Sequence, residues 1–201
     1  MNLVKCISTF VIATVMAFGV HAKAMVGQPA PDFELTSADG STVKLSDYSD
    51  KYVILEWTNH DCPFVKKHYG AGNMQQLQKD QTANGVVWLS IISSANGKQG
   101  HVDAAKANAL TNKRGAAPSH VLLDESGDVG RLYGAKTTPH MYIISPDGML
   151  AYMGAIDSIK SSNPADIANA TNYVTQAMIE LNSNKPVSQT ITKPYGCSVK
   201  Y

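Results

Sequence analysis

Two nearly unbroken apolar runs organise the chain. Residues 52–57 are interrupted only by Glu56, and residues 86–92 only by Ser90. Runs of this length, rich in Val, Ile and Trp, predict strands covered on both faces. Ahead of them, residues 33–36 and 42–45 alternate around Asp39-Gly40, which predicts a β-hairpin. Residues 63–78 carry a helical pattern whose middle is weakened by Gly70 and Gly72. A weak, Ala-rich helix is expected over 102–112, a short strand over 121–123 and a short helix over 129–133. Residues 141–144 and 149–153 flank Pro146-Asp147-Gly148 and predict two antiparallel strands. Asn163-Pro164-Ala165-Asp166 supplies a cap, a proline at the first helical position and an acidic first turn. Ile167, Ala170, Val174, Ala177, Met178 and Leu181 then share one helical face. With no repeat and no linker, the pattern predicts one α/β domain with a mixed sheet flanked by helices.

The two ends of the chain depart from this pattern. Lys5, an apolar stretch over 7–20 and the small-residue site Ala22-Lys23-Ala24 predict a secretory signal over 1–24. The competing reading is an uncleaved membrane anchor, but the apolar stretch is short for a span. The expected organisation is therefore a signal (1–24), a domain (25–182) and a polar tail (183–201). The mature chain would be periplasmic or secreted, with no stable membrane insertion. Of 201 residues, 44% are hydrophobic, enough for a sizeable core, and the net charge of +1 argues against nucleic acid as the main partner. Three cysteines are present, Cys6, Cys62 and Cys197. Signal removal would leave the last two, an even count compatible with a disulfide in an oxidising compartment.

Cys62 stands where the first long strand ends and a helix should begin. A thiol there meets unpaired backbone N–H groups and the positive end of the helix dipole, both of which favour thiolate. Three residues on, where a second cysteine would complete Cys-x-x-Cys, the chain has Val65. Six residues before Cys62, Glu56 sits in an apolar strand. If buried, its raised pKa would suit proton transfer; the alternative is a surface-facing acid. Thr138-Pro139 precedes another strand. Tyr195-Gly196-Cys197 puts a second thiol on a segment expected to be mobile. Lys66 and Lys67 read as a solvated helix face, Trp57 as core or site lining, and Tyr69 and Trp88 as packing. His60, Cys62, His68 and His140 form a conceivable metal cluster without metal-ligand spacing; no metal or other cofactor is expected.

The order of hairpin, strand, cysteine-initiated helix, strand, helix, Thr-Pro, strand, hairpin and helix resembles the thioredoxin superfamily over roughly residues 26–182. The start Val-Gly-Gln-Pro-Ala-Pro-Asp-Phe, Asp61-Cys62-Pro63 and Thr138-Pro139 resemble its AhpC/TSA (redoxin) branch, which includes peroxiredoxin-like and TlpA/ResA-like proteins. Cys-Pro-Phe-Val-Lys-Lys-His-Tyr and Pro-Tyr-Gly-Cys-Ser-Val-Lys-Tyr are similar to a peroxiredoxin-like subgroup with a C-terminal cysteine. The resemblance implies a thioredoxin-like fold. It implies that Cys62 attacks, that Pro139 is a cis-proline facing that sulfur with Thr138 before it, and that Glu56 replaces a buried Asp. The chain departs from the family at Val65. It departs again at Leu55 and Asn59, where peroxiredoxins carry Pro and Thr or Ser; Asn59 retains hydrogen-bonding capacity toward a peroxide oxygen.

Three functions follow from these readings. In the first, Cys62 attacks a protein disulfide or a peroxide, Cys197 resolves the product, and a separate thiol reductant protein resets the pair. The second is a peroxidase of the peroxiredoxin type. The third is a non-enzymatic domain stapled by a Cys62–Cys197 disulfide.

Overall fold

The structure is a computed structural model and describes residues 23–201; most of the expected signal, 1–22, lies outside the described residues. The hairpin forms as β1 (Glu34–Ser37) and β2 (Thr42–Lys44). The two apolar runs form β3 (Val53–Trp57) and β4 (Val87–Ile92). They pair in parallel, and β5 (His120–Leu123) lies parallel on the far side of β4. After β6 (Thr137–Thr138), β7 (His140–Ile144) runs antiparallel to β3 and β8 (Leu150–Gly154) closes that side. The seven-stranded sheet is ordered β2-β1-β5-β4-β3-β7-β8, while β6 stands apart and pairs with β9 (Cys197–Ser198).

Side chains alternate across this sheet as pleated strands require. Ile54, Trp88, Met141 and Ile143 pack with α1 (Pro63–Gly70), α2 (Asn73–Ala83) and α5 (Tyr173–Asn182). Leu55, Trp57, Leu89, Ile91 and Tyr142 form the opposite layer with Val129 and Tyr133 of α4 (Asp128–Tyr133). A smaller cluster places α3 (Ala104–Arg114) on Ala38 and Val102. Every β3 residue is buried, Glu56 included, because both sheet faces are covered.

Three expectations are corrected. The helix expected over 63–78 is two helices, and Gly72, at φ 73°, is the left-handed joint that a residue with a Cβ resists. The last helix is also divided. Residues Pro164–Asn169 form a 3₁₀ turn, Ala170 is extended, and α5 restarts with the Asn172 side chain accepting from the Thr175 N–H. The tail does not stand free of the domain but is strapped across it. Met153 N–H donates to Thr190 O, Val199 N–H to Lys136 O, and Ala95 N–H to Lys200 O. The Tyr201 hydroxyl donates to Ala135 O at 2.7 Å, and the Arg131 guanidinium lies over its ring. Among the described residues, no helix is long and apolar enough to cross a membrane.

Candidate active site

Cys62 is the N-cap of α1, with Pro63 at the first helical position. The strand–turn–helix junction holds it there: Cys62 N–H donates to Asn59 O, and Lys66 N–H donates to Cys62 O. The side chain is fully buried. Its thiol donates to Thr138 O at 3.0 Å, across the cleft between α1 and the cis Thr138–Pro139 peptide. Thr138 is itself buried. The expected opposition of Cys62 to the Thr-Pro turn is therefore present in space.

The tail brings the second cysteine to this point. In the β6–β9 ladder Thr138 is opposite Cys197 and Thr137 is opposite Ser198. The Cys197 N–H donates to Cys62 Sγ at 3.4 Å, and both residues are free thiols. Gly196 permits the approach. Its φ is 139°, and a Cβ there would lie 2.7 Å from Thr138 C and closer still to the carbonyl oxygen. Only glycine takes both that backbone angle and that contact at low cost.

The pair is electrostatically unequal. Burial pushes the Cys62 thiol up, but hydrogen bonds led by the Cys197 thiol and N–H outweigh it and leave Cys62 below the ordinary thiol range. Burial, and then donation to Cys62, raise Cys197. The two thiols are thus shifted in opposite directions, Cys62 down and Cys197 up.

Glu56 is fully buried, which removes the surface reading. Its carboxylate accepts from Tyr69 Oη at 3.0 Å, Gln78 Nε2 at 3.2 Å, Trp88 Nε1 at 3.0 Å and Ser90 Oγ at 2.9 Å. Burial raises its pKa while these donors oppose the rise. Tyr69 and Trp88, read from sequence as packing, are in fact partners of this acid. No hydrogen bond among the described residues joins Glu56 to Cys62; the acid ties α1, α2 and β4 together behind the thiol. The Asn59 amide is committed to its own loop, with Oδ1 accepting from Asp61 N–H and Nδ2 donating to Gln99 O. Trp57 is core, against Tyr133 and Tyr142, with Nε1 donating to Ser93 Oγ.

The proposed solvated face of α1 is half wrong. Lys66 is exposed, but the Lys67 side chain is fully buried and paired with Asp157 at 3.0 Å. Lys67 Nζ also donates to Ile159 O at 3.2 Å and lies 3.4 Å from Tyr195 Oη. Tyr195 donates to Asp157, and His68 Nε2 lies 3.4 Å from the same hydroxyl. Asn73 Nδ2 against His68 Nδ1 at 2.8 Å assigns the ring proton to Nε2. Burial holds His68 down at about 4, so it is neutral at neutral pH. The ring of Tyr195 also meets Phe64 edge-on, at 5.7 Å between centroids. Sequence reasoning missed this group because its members lie up to 128 positions apart. The only local hint was a tyrosine two residues before Cys197. His140 belongs to a different network, with its Nδ1 3.1 Å from Tyr142 Oη.

The AhpC/TSA family matches residues 26–153. An uncharacterised conserved protein from Geobacillus kaustophilus superposes with a TM-score of 0.77 at 29% identity, over 88% of this chain and 92% of that one. The thiol-disulfide oxidoreductase ResA of Bacillus cereus is 24% identical over 131 residues, 65% of this chain and 70% of that protein. Peroxiredoxin Bcp of Bacillus subtilis is 60% identical over a short stretch, 21% of this chain, and the match spans only 33% of that protein's length. The α/β architecture is the thioredoxin-like fold implied by the sequence resemblance.

Proposed function

We infer that this chain, which belongs to the AhpC/TSA family, is a thiol-dependent oxidoreductase in which Cys62 attacks and Cys197 resolves. The observation that carries this reading is the β9 strand, which sets Cys197 opposite Thr138 with its N–H 3.4 Å from Cys62 Sγ. In disulfide exchange, the Cys62 thiolate attacks one sulfur of a client disulfide, and the other client sulfur leaves as a thiol. Cys197 then gives up its proton and attacks Cys62 Sγ. The second client sulfur leaves, and the protein holds a Cys62–Cys197 disulfide. Two electrons have passed to the client, and a separate dithiol reductant protein restores the pair. Thr138 and Pro139 line the face on which the client sulfur must arrive. Glu56 acts from behind, fixing α1. The pattern of residues 1–24 supports an exported chain, periplasmic or secreted, where such chemistry has both oxidants and clients.

A peroxidase is the second reading, supported by the name of the Bacillus subtilis relative. There Cys62 displaces water from hydrogen peroxide to give a sulfenic acid, and Cys197 condenses with it, releasing a second water. Asn59 gives one Nδ2 hydrogen to Gln99 O and accepts from Asp61 N–H through Oδ1, which leaves its second Nδ2 hydrogen as a donor for a peroxide oxygen. Disulfide exchange is the favoured route, because the match to the oxidoreductase ResA spans 70% of that protein and the match to the peroxiredoxin only 33%.

The test is to oxidise the reduced protein with a disulfide or with hydrogen peroxide, block free thiols, and map cysteine peptides without reduction. A Cys62–Cys197 linkage that forms with either oxidant and is absent in Cys62→Ser is expected. Oxidation that leaves Cys197 alkylatable throughout refutes the resolving role. Faster formation with disulfides than with peroxide selects exchange; the reverse selects the peroxidase.

A further inference from the structure

The group formed by Lys67, His68, Asp157 and Tyr195 lies outside the chemistry just described, yet it is built at some cost. Lys67 and His68 are fully buried and Asp157 is 4% exposed. A buried ion pair is retained in a fold only when further polar contacts satisfy it. Here the last of those contacts comes from the tail, two residues before Cys197.

Tyr195 is well matched to this socket. Its hydroxyl donates its one proton to Asp157 and receives from His68 Nε2–H and Lys67 Nζ. Its ring is buried against Phe64. Just before it, Thr192 is bonded to Met153, Ala155 and Tyr152, whereas Lys193 and Pro194 make no hydrogen bond among the described residues. Residues 192–194 run between two open hollows of about 270 and 350 Å³, one reaching Asp157 and the other His140. The firm contact nearest to Cys197 on its upstream side is therefore the Tyr195 hydroxyl. The socket and the nucleophile also share one helix, since Cys62 caps α1 and Lys67 and His68 lie one to two turns along it. The tail is thus registered twice against the same element.

We propose that the Tyr195–Asp157–Lys67–His68 socket is the positioning device of the resolving step. It fixes the tail's register so that Cys197 meets Cys62. This rests on the reading that Cys197 resolves. In that step the Cys197 sulfur attacks Cys62 Sγ of a mixed disulfide. The bond from Cys62 to the departing sulfur breaks, the Cys62–Cys197 bond forms, and the leaving thiol takes the proton Cys197 gave up. The socket touches none of the reacting atoms, so its contribution is geometric.

The test uses oxidised glutathione with the reduced full-length chain, acid quenching at timed intervals, and mass analysis of the intact protein. The glutathione adduct and the internal disulfide are read as separate species. Tyr195→Phe keeps the ring and removes only the hydroxyl, and Asp157→Asn replaces the charged acceptor by a neutral amide. In both variants adduct formation at Cys62 is expected to be no slower than in the wild type. Conversion of adduct to internal disulfide is expected to slow by about tenfold or more, the loss of roughly one charge-assisted hydrogen bond. A merely structural role would not separate the two rates. Conversion within about twofold of wild type in Tyr195→Phe overturns the socket while leaving the resolving role intact. A wild-type adduct that never converts overturns both.

Discussion

Replacing Gly196 by alanine tests the site at its tightest point. A Cβ there would lie 2.7 Å from Thr138 C and closer still to its carbonyl oxygen, whereas ordinary contact begins at 3.4 Å, so the tail must retreat by more than 3.4 − 2.7 = 0.7 Å. The backbone angle of 139° adds strain of about 1–3 kcal/mol for a residue with a side chain. Retreat also loosens the β6–β9 pairing, about two hydrogen bonds at roughly 1 kcal/mol each. The total of about 3–5 kcal/mol corresponds to a roughly 150- to 5,000-fold loss in the equilibrium for closing the Cys62–Cys197 disulfide. The assay is equilibration with graded mixtures of reduced and oxidised glutathione, followed by thiol blocking and quantification of the internal disulfide. The effective concentration of Cys197 toward Cys62 should fall by that factor in Gly196→Ala, while Cys62 still forms a glutathione adduct. An effective concentration within about twofold of wild type would mean that the close approach of Gly196 to Thr138 does not govern the pair, and the strand-pairing argument would fail.

Two further outcomes follow from buried groups behind the thiol. Glu56→Ala leaves Tyr69, Gln78, Trp88 and Ser90 donors facing an emptied site. Urea unfolding followed by Trp88 emission should show a loss of about 3–5 kcal/mol, and a loss under about 1 kcal/mol would contradict the network as described. His68 is held near 4 against an ordinary 6.5, so the unfolded chain binds a proton that the native chain refuses. Stability from this group is therefore complete above about pH 6.5 and is lost as pH falls toward 4, by about 3 kcal/mol. Denaturant midpoints of wild type and His68→Asn should converge over that window, and a constant difference from pH 7 to 4 would refute the assignment.

The sequence was legible where local periodicity and local chemistry agree. Residues 52–57 and 86–92 read as buried strands because each is apolar on both faces of the pleat, and both stand at the centre of the sheet. Cys62 at a helix start follows from the end of the first run and the proline after it. The helix breaks were only half visible. Gly72 lowers helix propensity, but nothing local says that it takes a left-handed angle rather than continuing. The restart at Asn172 competed with an earlier, equally good cap at Asn163. Lys67 and the tail were illegible for a common reason. A lysine beside another lysine on a short helix looks solvated until Asp157, ninety positions away, is placed against it. A polar C-terminal segment looks loose because its partners at Met153, Thr138 and Lys136 lie on or beside distant strands.

The strap across Cys62 also has a kinetic consequence. With the sulfur fully buried beneath Thr138 and the tail, any outside molecule can react only during intervals when the tail is lifted. The observed rate is then the intrinsic rate multiplied by the fraction of time spent open. Small reagents and large clients need openings of different extent, so the tail ranks them by size before any chemistry begins. A change far from the sulfur that alters the lifetime of the closed state would rescale reactivity toward every partner without altering the thiol itself.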